Sequence, residues 1–345
     1  MHDILEFSRP ELSAWFENNS IKPFRAKQIF KWIYIRNADG FENMTDIGKD
    51  LRATLSRTFI IPRLALEKSE KSADGTQKFL FRLSDGNHIE SVLIPEKDHF
   101  TLCISSQVGC AQNCSFCLTA KGGFKRNLSA SEIISQIRDV RQILSCRNRD
   151  HLLSNIVFMG MGEPLANYDN VVKAIHIITD TDFGLKFSPR RVTVSTAGIV
   201  PRMKDLGRDT TVNLAVSLNA TEDKTRSMLM PVNRTYRIKD LLEACLEYEM
   251  KPRNKITFEY ILIKGVNDTR EDALRLVRMI APIKAKVNLI AFNENDKTEY
   301  RSPSPDEVST FLQVLLDRNV TAITRKSKGR DISAACGQLK AKLGE

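Results

Sequence analysis

The spacing of apolar positions changes character twice along the chain. Over residues 1–75 they recur every three or four positions in ELSAWFENN, FRAKQIFKWIYIR and MTDIGKDLRATLSRTF, which predicts helices separated by Pro and Gly. KFLFRLSDGNHIESVLIP then alternates on either side of Asp85-Gly86, predicting a β-hairpin within 76–100. From 101 onward short β-branched runs take over: TLCIS, NIVFM, RVTVS, TVNLAVS, KITFEYILI and KVNLIAF. Helical stretches such as SASEIISQIRDVRQIL and REDALRLVRMIAP separate them. Six strand-then-helix units over 101–318 predict an α/β fold with a parallel sheet and crossover helices, curled into a barrel or left open. A further strand, NVTAITR, begins a C-terminal segment over 319–345.

Composition narrows the class. With 42% hydrophobic and 27% charged residues the chain reads as a soluble globular protein. No run is long enough to span a bilayer, and MHDILEFSRPELSAWFENN lacks the pattern of a secretory signal, so a cytoplasmic monomer without a membrane partner is expected. Seven cysteines, an odd number, fit a reducing compartment in which clustered thiols bind metal or do chemistry. Cys146 and Cys245 stand apart and read as small core residues.

A net charge of +10 favours a polyanionic partner. The basic residues cluster at Lys121, Lys125, Arg126, Arg138, Arg141, Arg147 and Arg149, and again at Arg325, Lys326, Lys328 and Arg330. Both clusters suit RNA or DNA, and both suit a plain solvated surface.

Barrels of parallel strands gather their chemistry at the strands' C-terminal ends, and the unusual residues fall there. CISSQVGCAQNCSFC follows the first strand and GMGEP the second; Ser195, then Ser217 and Asn219, then Asn293 end later ones. Cys110, Cys114 and Cys117 form a C-x3-C-x2-C set with no fourth ligand nearby, whereas structural zinc usually takes four in two pairs. Three thiolates on a [4Fe–4S] cluster leave one iron open to a further ligand. That spacing is the signature of radical S-adenosylmethionine enzymes. In GMGEP, Gly160 and Gly162 admit close backbone approach and Glu163 could accept from an ammonium; a tight strand-to-helix turn is the alternative.

Five stretches make the resemblance specific: CISSQVGCAQNCSFCLTAKGGFKRNL, FMGMGEPLAN, SPRRVTVSTAGIVP, RSMLMPVNR and DISAACGQL. Together they resemble the bacterial radical S-adenosylmethionine methyltransferases of adenine in RNA, over almost the whole chain, and lean to the carbon-2 rather than the carbon-8 branch. The resemblance implies a partial (β/α)6 barrel of the radical S-adenosylmethionine type, a small helical N-terminal domain that binds RNA, and a β-hairpin extension. Its implied substrates are 23S ribosomal RNA at the peptidyl transferase centre and tRNA next to the anticodon. A low-potential donor such as flavodoxin or ferredoxin would supply electrons.

The family's chemistry assigns the remaining residues. Carbon-2 of adenine is electron-poor and does not attack a methyl sulfonium directly. The resemblance implies two S-adenosylmethionines per turnover: one methylates Cys336, and the other yields a 5′-deoxyadenosyl radical that takes hydrogen from that methyl group. Carbon then adds to the base, Glu90 removes the ring proton, and Cys103 releases the product through a transient disulfide with Cys336. Cys110, Cys114 and Cys117 would hold the cluster. Gly162, Glu163, Ser195, Ser217, Leu218, Asn219 and Asn293 would contact S-adenosylmethionine. Asn219 stands where the family usually carries His, and Asn still donates and accepts. Two other readings stay open: a radical enzyme acting on another substrate, such as a glycyl-radical activase, and an RNA-binding module with a purely structural cluster.

Overall fold

The computed structural model describes residues 1–147, 152–295 and 298–340; Arg149, one of the basic residues above, lies outside them. Ten strands form one sheet whose spatial order follows the chain order. They are β1 (Ala65–Lys71), β2 (Gln77–Arg82), β3 (His88–Pro95), β4 (Phe100–Cys103), β5 (Leu153–Phe158), β6 (Val192–Thr196), β7 (Asn213–Ser217), β8 (Ile256–Leu262), β9 (Ala285–Ala291) and β10 (Ala322–Thr324). Strands β1 to β4 pair antiparallel, and every pair from β4 to β10 is parallel. The two end strands do not meet, so the parallel half is an open, partial barrel, the α/β fold expected.

Strand β1 was not foreseen. ALEKSEK is exposed at six of its seven positions, so it shows no apolar alternation, and it extends a hairpin into a three-stranded meander. The helical N-terminal part accordingly ends at Thr58.

Crossover helices cover the sheet because their polar starts and apolar faces agree. Ala130–Ser145 begins with a Ser129–Glu132 capping box, and Arg270–Ile280 and Pro305–Leu316 begin the same way. Each such cap is worth about 1 kcal/mol. Ile133, Ile134, Ile137, Val140 and Leu144 then line the buried face of the first.

Fully buried Arg138 fastens the N-terminal helices to this helix. Its guanidinium donates to Ala38 O (2.8 Å) and Pro62 O (3.2 Å), while Arg63 pairs with Asp139 at 2.9 Å. Burial lowers the Arg138 pKa to about 10. Of the N-terminal aromatics, Phe30 and Tyr34 are buried against each other, 5.0 Å between centroids, and only Phe24 stands well exposed.

Candidate active site

A cavity of about 160 Å³ opens at the C-terminal ends of the parallel strands. Its wall includes Cys103, Cys110, Cys114, Cys117 and Cys336, five of the chain's seven cysteines. Cys103 is the last residue of β4, and the other three of CISSQVGCAQNCSFC lie on the loop beyond it.

That loop is built from backbone contacts only small residues allow. Gly109 has φ +75°, and a Cβ there would lie 1.8 Å from Gly123 O, which accepts from Cys110 N. Asn113, between the first two cysteines, is also left-handed at φ 52°. Ser115 N donates to Leu229 O and Leu118 N to Gly337 O, fixing the loop's far side.

Burial pushes the Cys110 thiol up to about 12 and the Cys114 thiol well above its ordinary value; Cys117 beside each adds to the effect. Such thiols gain most from a cationic partner that takes them as thiolates. Among the described residues no three His, Cys, Asp or Glu side chains form a closed single-ion group. A tetrahedral ion would need sulfurs ~3.8 Å apart, whereas a four-iron cluster spaces them more widely. The donor set, three thiols around an open cavity, fits the cluster.

Gly160, Gly162 and Glu163 line the same cavity. A Cβ on Gly160 would lie 2.6 Å from Ile104 O, and one on Gly162, at φ +101°, 2.5 Å from the Gln107 side chain. The glycines therefore admit the neighbouring strand end as well as any ligand. Glu163 is buried, which raises its pKa, and its two oxygens accept from Leu165 N (3.0 Å) and Ala197 N (2.7 Å).

Ser195 and Ser217 also reach the cavity, but Leu218, Asn219 and Asn293 do not line it. Asn219 Oδ1 accepts from Ile261 N at 2.8 Å, holding the end of β8. Asn293 donates to Cys336 O (3.2 Å) and accepts from Arg330 Nε (3.1 Å). Leu218 N donates to Glu259 O. Glu90 lies outside the wall, with Oε1 3.3 Å from Lys78 Nζ and Oε2 accepting from Lys340 N at 2.8 Å.

One charged cavity residue, Glu259, carried no signal in the sequence, and Arg325 showed there only as part of a basic cluster. Glu259, buried on β8, accepts from Ser195 Oγ at 2.7 Å, and its other oxygen has no hydrogen-bond partner. Arg325 Nη1 lies 3.9 Å from that oxygen. One charged residue inside apolar KITFEYILI gave no periodic signal.

A buried Arg226 organises the strand ends from behind. It donates to Leu218 O (3.0 Å), Ala197 O (2.7 Å), Ser217 O (3.1 Å) and Asn233 Oδ1 (3.0 Å). Both Arg226 and Asn233 belong to RSMLMPVNR, so those two residues hold the frame, while Met230 of the same motif lines the cavity.

Burial pushes Cys103 up to about 12. Protein crowding also raises Cys336, although solvent still reaches it, which moderates the effect. The segment carrying Cys336 is strapped to the turn between β1 and β2. Asp331 accepts from Ser72 Oγ (2.6 Å) and Ala73 N (3.1 Å), and Gly329 N donates to Asp74 at 2.8 Å.

An open parallel barrel with such a cavity is the fold of the radical S-adenosylmethionine superfamily, whose model matches residues 104–277. The model of the ribosomal RNA large subunit methyltransferase N-terminal domain matches residues 2–61. The dual-specificity RNA methyltransferase RlmN of Desulfosudis oleivorans is 56% identical over 99% of this chain and 91% of its own length. That of Geotalea uraniireducens is 54% identical over 99% and 97%. A radical SAM methyltransferase from Sphaerobacter thermophilus superposes with a TM-score of 0.92 at 40% identity, covering 99% of this chain and 100% of that one. The chain belongs to the RlmN family of radical S-adenosylmethionine RNA methyltransferases. That family implies S-adenosylmethionine, a [4Fe–4S] cluster and an RNA substrate. Among the described residues no helix is long and apolar enough to cross a membrane.

Proposed function

We propose that this protein methylates carbon-2 of an adenosine in 23S ribosomal RNA and in tRNA, with Cys336 as methyl carrier and Cys103 as resolving thiol. The observation that carries the reading is that these two thiols, from distant parts of the chain, line one cavity with the C-x3-C-x2-C set. Cys110, Cys114 and Cys117 would hold the [4Fe–4S] cluster, which with S-adenosylmethionine supplies the radical chemistry that an electron-poor ring carbon demands.

The chain's own groups do the rest. Cys336 takes up a methyl group as a thiolate and presents it to the base; Cys103 then pairs with it as the product leaves. Glu90 accepts the ring proton. Its Oε2 now accepts from Lys340 N, so that hydrogen bond must open before the carboxylate takes the ring proton. Glu163 keeps the GMGEP turn against the end of β6, and Ser195 and Ser217 offer hydroxyls to the cofactor. The protein acts as a cytoplasmic monomer and draws electrons from a flavodoxin or ferredoxin.

Mass spectrometry of adenosines from RNA treated with the reconstituted protein tests the position. Methyl on carbon-2 is expected, and methyl on carbon-8 contradicts the assignment. Cys103→Ala should leave protein covalently joined to RNA; free RNA from that variant removes the resolving role.

A further inference from the structure

Residues 325–330 form a ledge shared by three hollows. Arg325 lines the thiol cavity, a second hollow of about 230 Å³ and a third of about 640 Å³. Lys326 and Ser327 line the second and third, while Ala334, Ala335 and Cys336 join the second to the thiol cavity. The second hollow therefore adjoins the thiol cavity at Cys336. The third hollow's far wall is apolar, with Pro303, Pro305, Val308 and Leu312, and carries no acidic side chain.

Charge on this ledge differs from that of the basic cluster after the cysteines. There, Arg126 is locked to Asp85 (2.6 Å) and Glu132 (2.7 Å), Arg138 is buried, and Arg141 donates to Leu185 O. On the ledge, Arg325 and Lys328 lie at 3.9 Å from Glu259 and Glu96. Lys326 and Arg330 are exposed, and no carboxylate among the described residues pairs with either. Arg330 also donates to Asn293, which donates to Cys336 O, so an anion held there sits two hydrogen bonds from the thiol's own backbone.

We infer that this ledge docks the single-stranded RNA backbone beside the target nucleotide. Lys326 and Arg330 each take a phosphate, a flanking nucleotide covers the apolar wall of the third hollow, and the target base enters over Ala335 towards Cys336. Single-strand recognition of this kind pairs cationic tracks with flat apolar contacts, and base-modifying enzymes need an unstacked base at the site. The inference rests on the RNA function proposed above and adds where the strand runs.

The test is fluorescence anisotropy on cluster-loaded protein, using a labelled 12-nucleotide single-stranded RNA with one adenosine among uridines, across a potassium chloride series. Two lost phosphate contacts at ~0.7 each should lower the salt slope by about 1.4 in Lys326→Gln/Arg330→Gln, equivalent to about 25-fold weaker binding at 0.1 M salt. Lys326→Gln alone should lower it by about 0.7. The exposed control Lys204→Gln/Lys239→Gln should retain the wild-type slope. An unchanged slope in the double variant, or an equal drop in the control, overturns the ledge. A wild-type protein that binds tRNA but not this oligonucleotide also overturns the ledge, whereas one that binds neither overturns instead the RNA function beneath it.

Discussion

Asn219 acts through its backbone angle as much as through its amide. It sits at φ 57°, in the left-handed region that Asn tolerates better than most residues, and its side chain grips Ile261 N. The sequence placed it at the right strand end but could not show that its amide is taken up by Ile261 N and Met230 Sδ rather than lining the cavity. Asn219→Ala should therefore lower the stability of the cluster-free protein by about 3 kcal/mol, combining a lost buried hydrogen bond with backbone strain. Urea denaturation measures it, and a loss below about 1 kcal/mol would contradict the role. The thiols were legible because spacing is a property of sequence. Glu259 was not, and Arg226 was legible only as part of RSMLMPVNR, since what marks their roles is burial and partners brought from other strands.

At the scale of elements, the seven parallel strands were readable because each is a short run rich in apolar or β-branched residues bounded by polar turns. Strand β8 is buried along its whole length, whereas β10 is exposed at two of its three positions. Strand β1 failed that test, being polar on both sides. The strap over residues 329–331 was equally silent, because its bonds run to Ser72, Ala73 and Asp74, far away in sequence. Burial pushes the Asp74 carboxyl up, but Thr76 within the turn and then the Gly329 amide of the strap outweigh it and hold the carboxyl down at about 2. Asp331 is also lowered, chiefly by Ser72. A depressed carboxyl stabilises the strap fully above its ordinary value near 3.8, and the contribution is lost as pH falls through about 2. Limited proteolysis of the cluster-free protein should thus find the C-terminal segment equally protected from pH 7 to about 4 and progressively cut below it. Asp331→Ala should expose the segment at neutral pH, and cutting that ignores both pH and the substitution would contradict the strap.

For the whole molecule, the open barrel, the thiol loop and the C-terminal segment meet because residues 329–340 fold back onto the first parallel strand's loop. Thr119 Oγ1 donates to Leu339 O at 2.6 Å and Leu118 N to Gly337 O, so the segment with Cys336 packs directly on the loop with Cys117. Resemblance named both ends of this arrangement, while periodicity alone named neither, since a juxtaposition across the chain leaves no local pattern. The N-terminal helices join the same body through Arg138. The central claim is that the methyl group reaches RNA by way of Cys336. The most direct measurement uses reconstituted protein and S-adenosylmethionine with a deuterated methyl group, followed by peptide and nucleoside mass spectrometry. The account predicts label first on Cys336 and on no other cysteine, then on the RNA adenine as the Cys336 label is consumed. Label arriving on RNA while Cys336 never carries it would contradict the account.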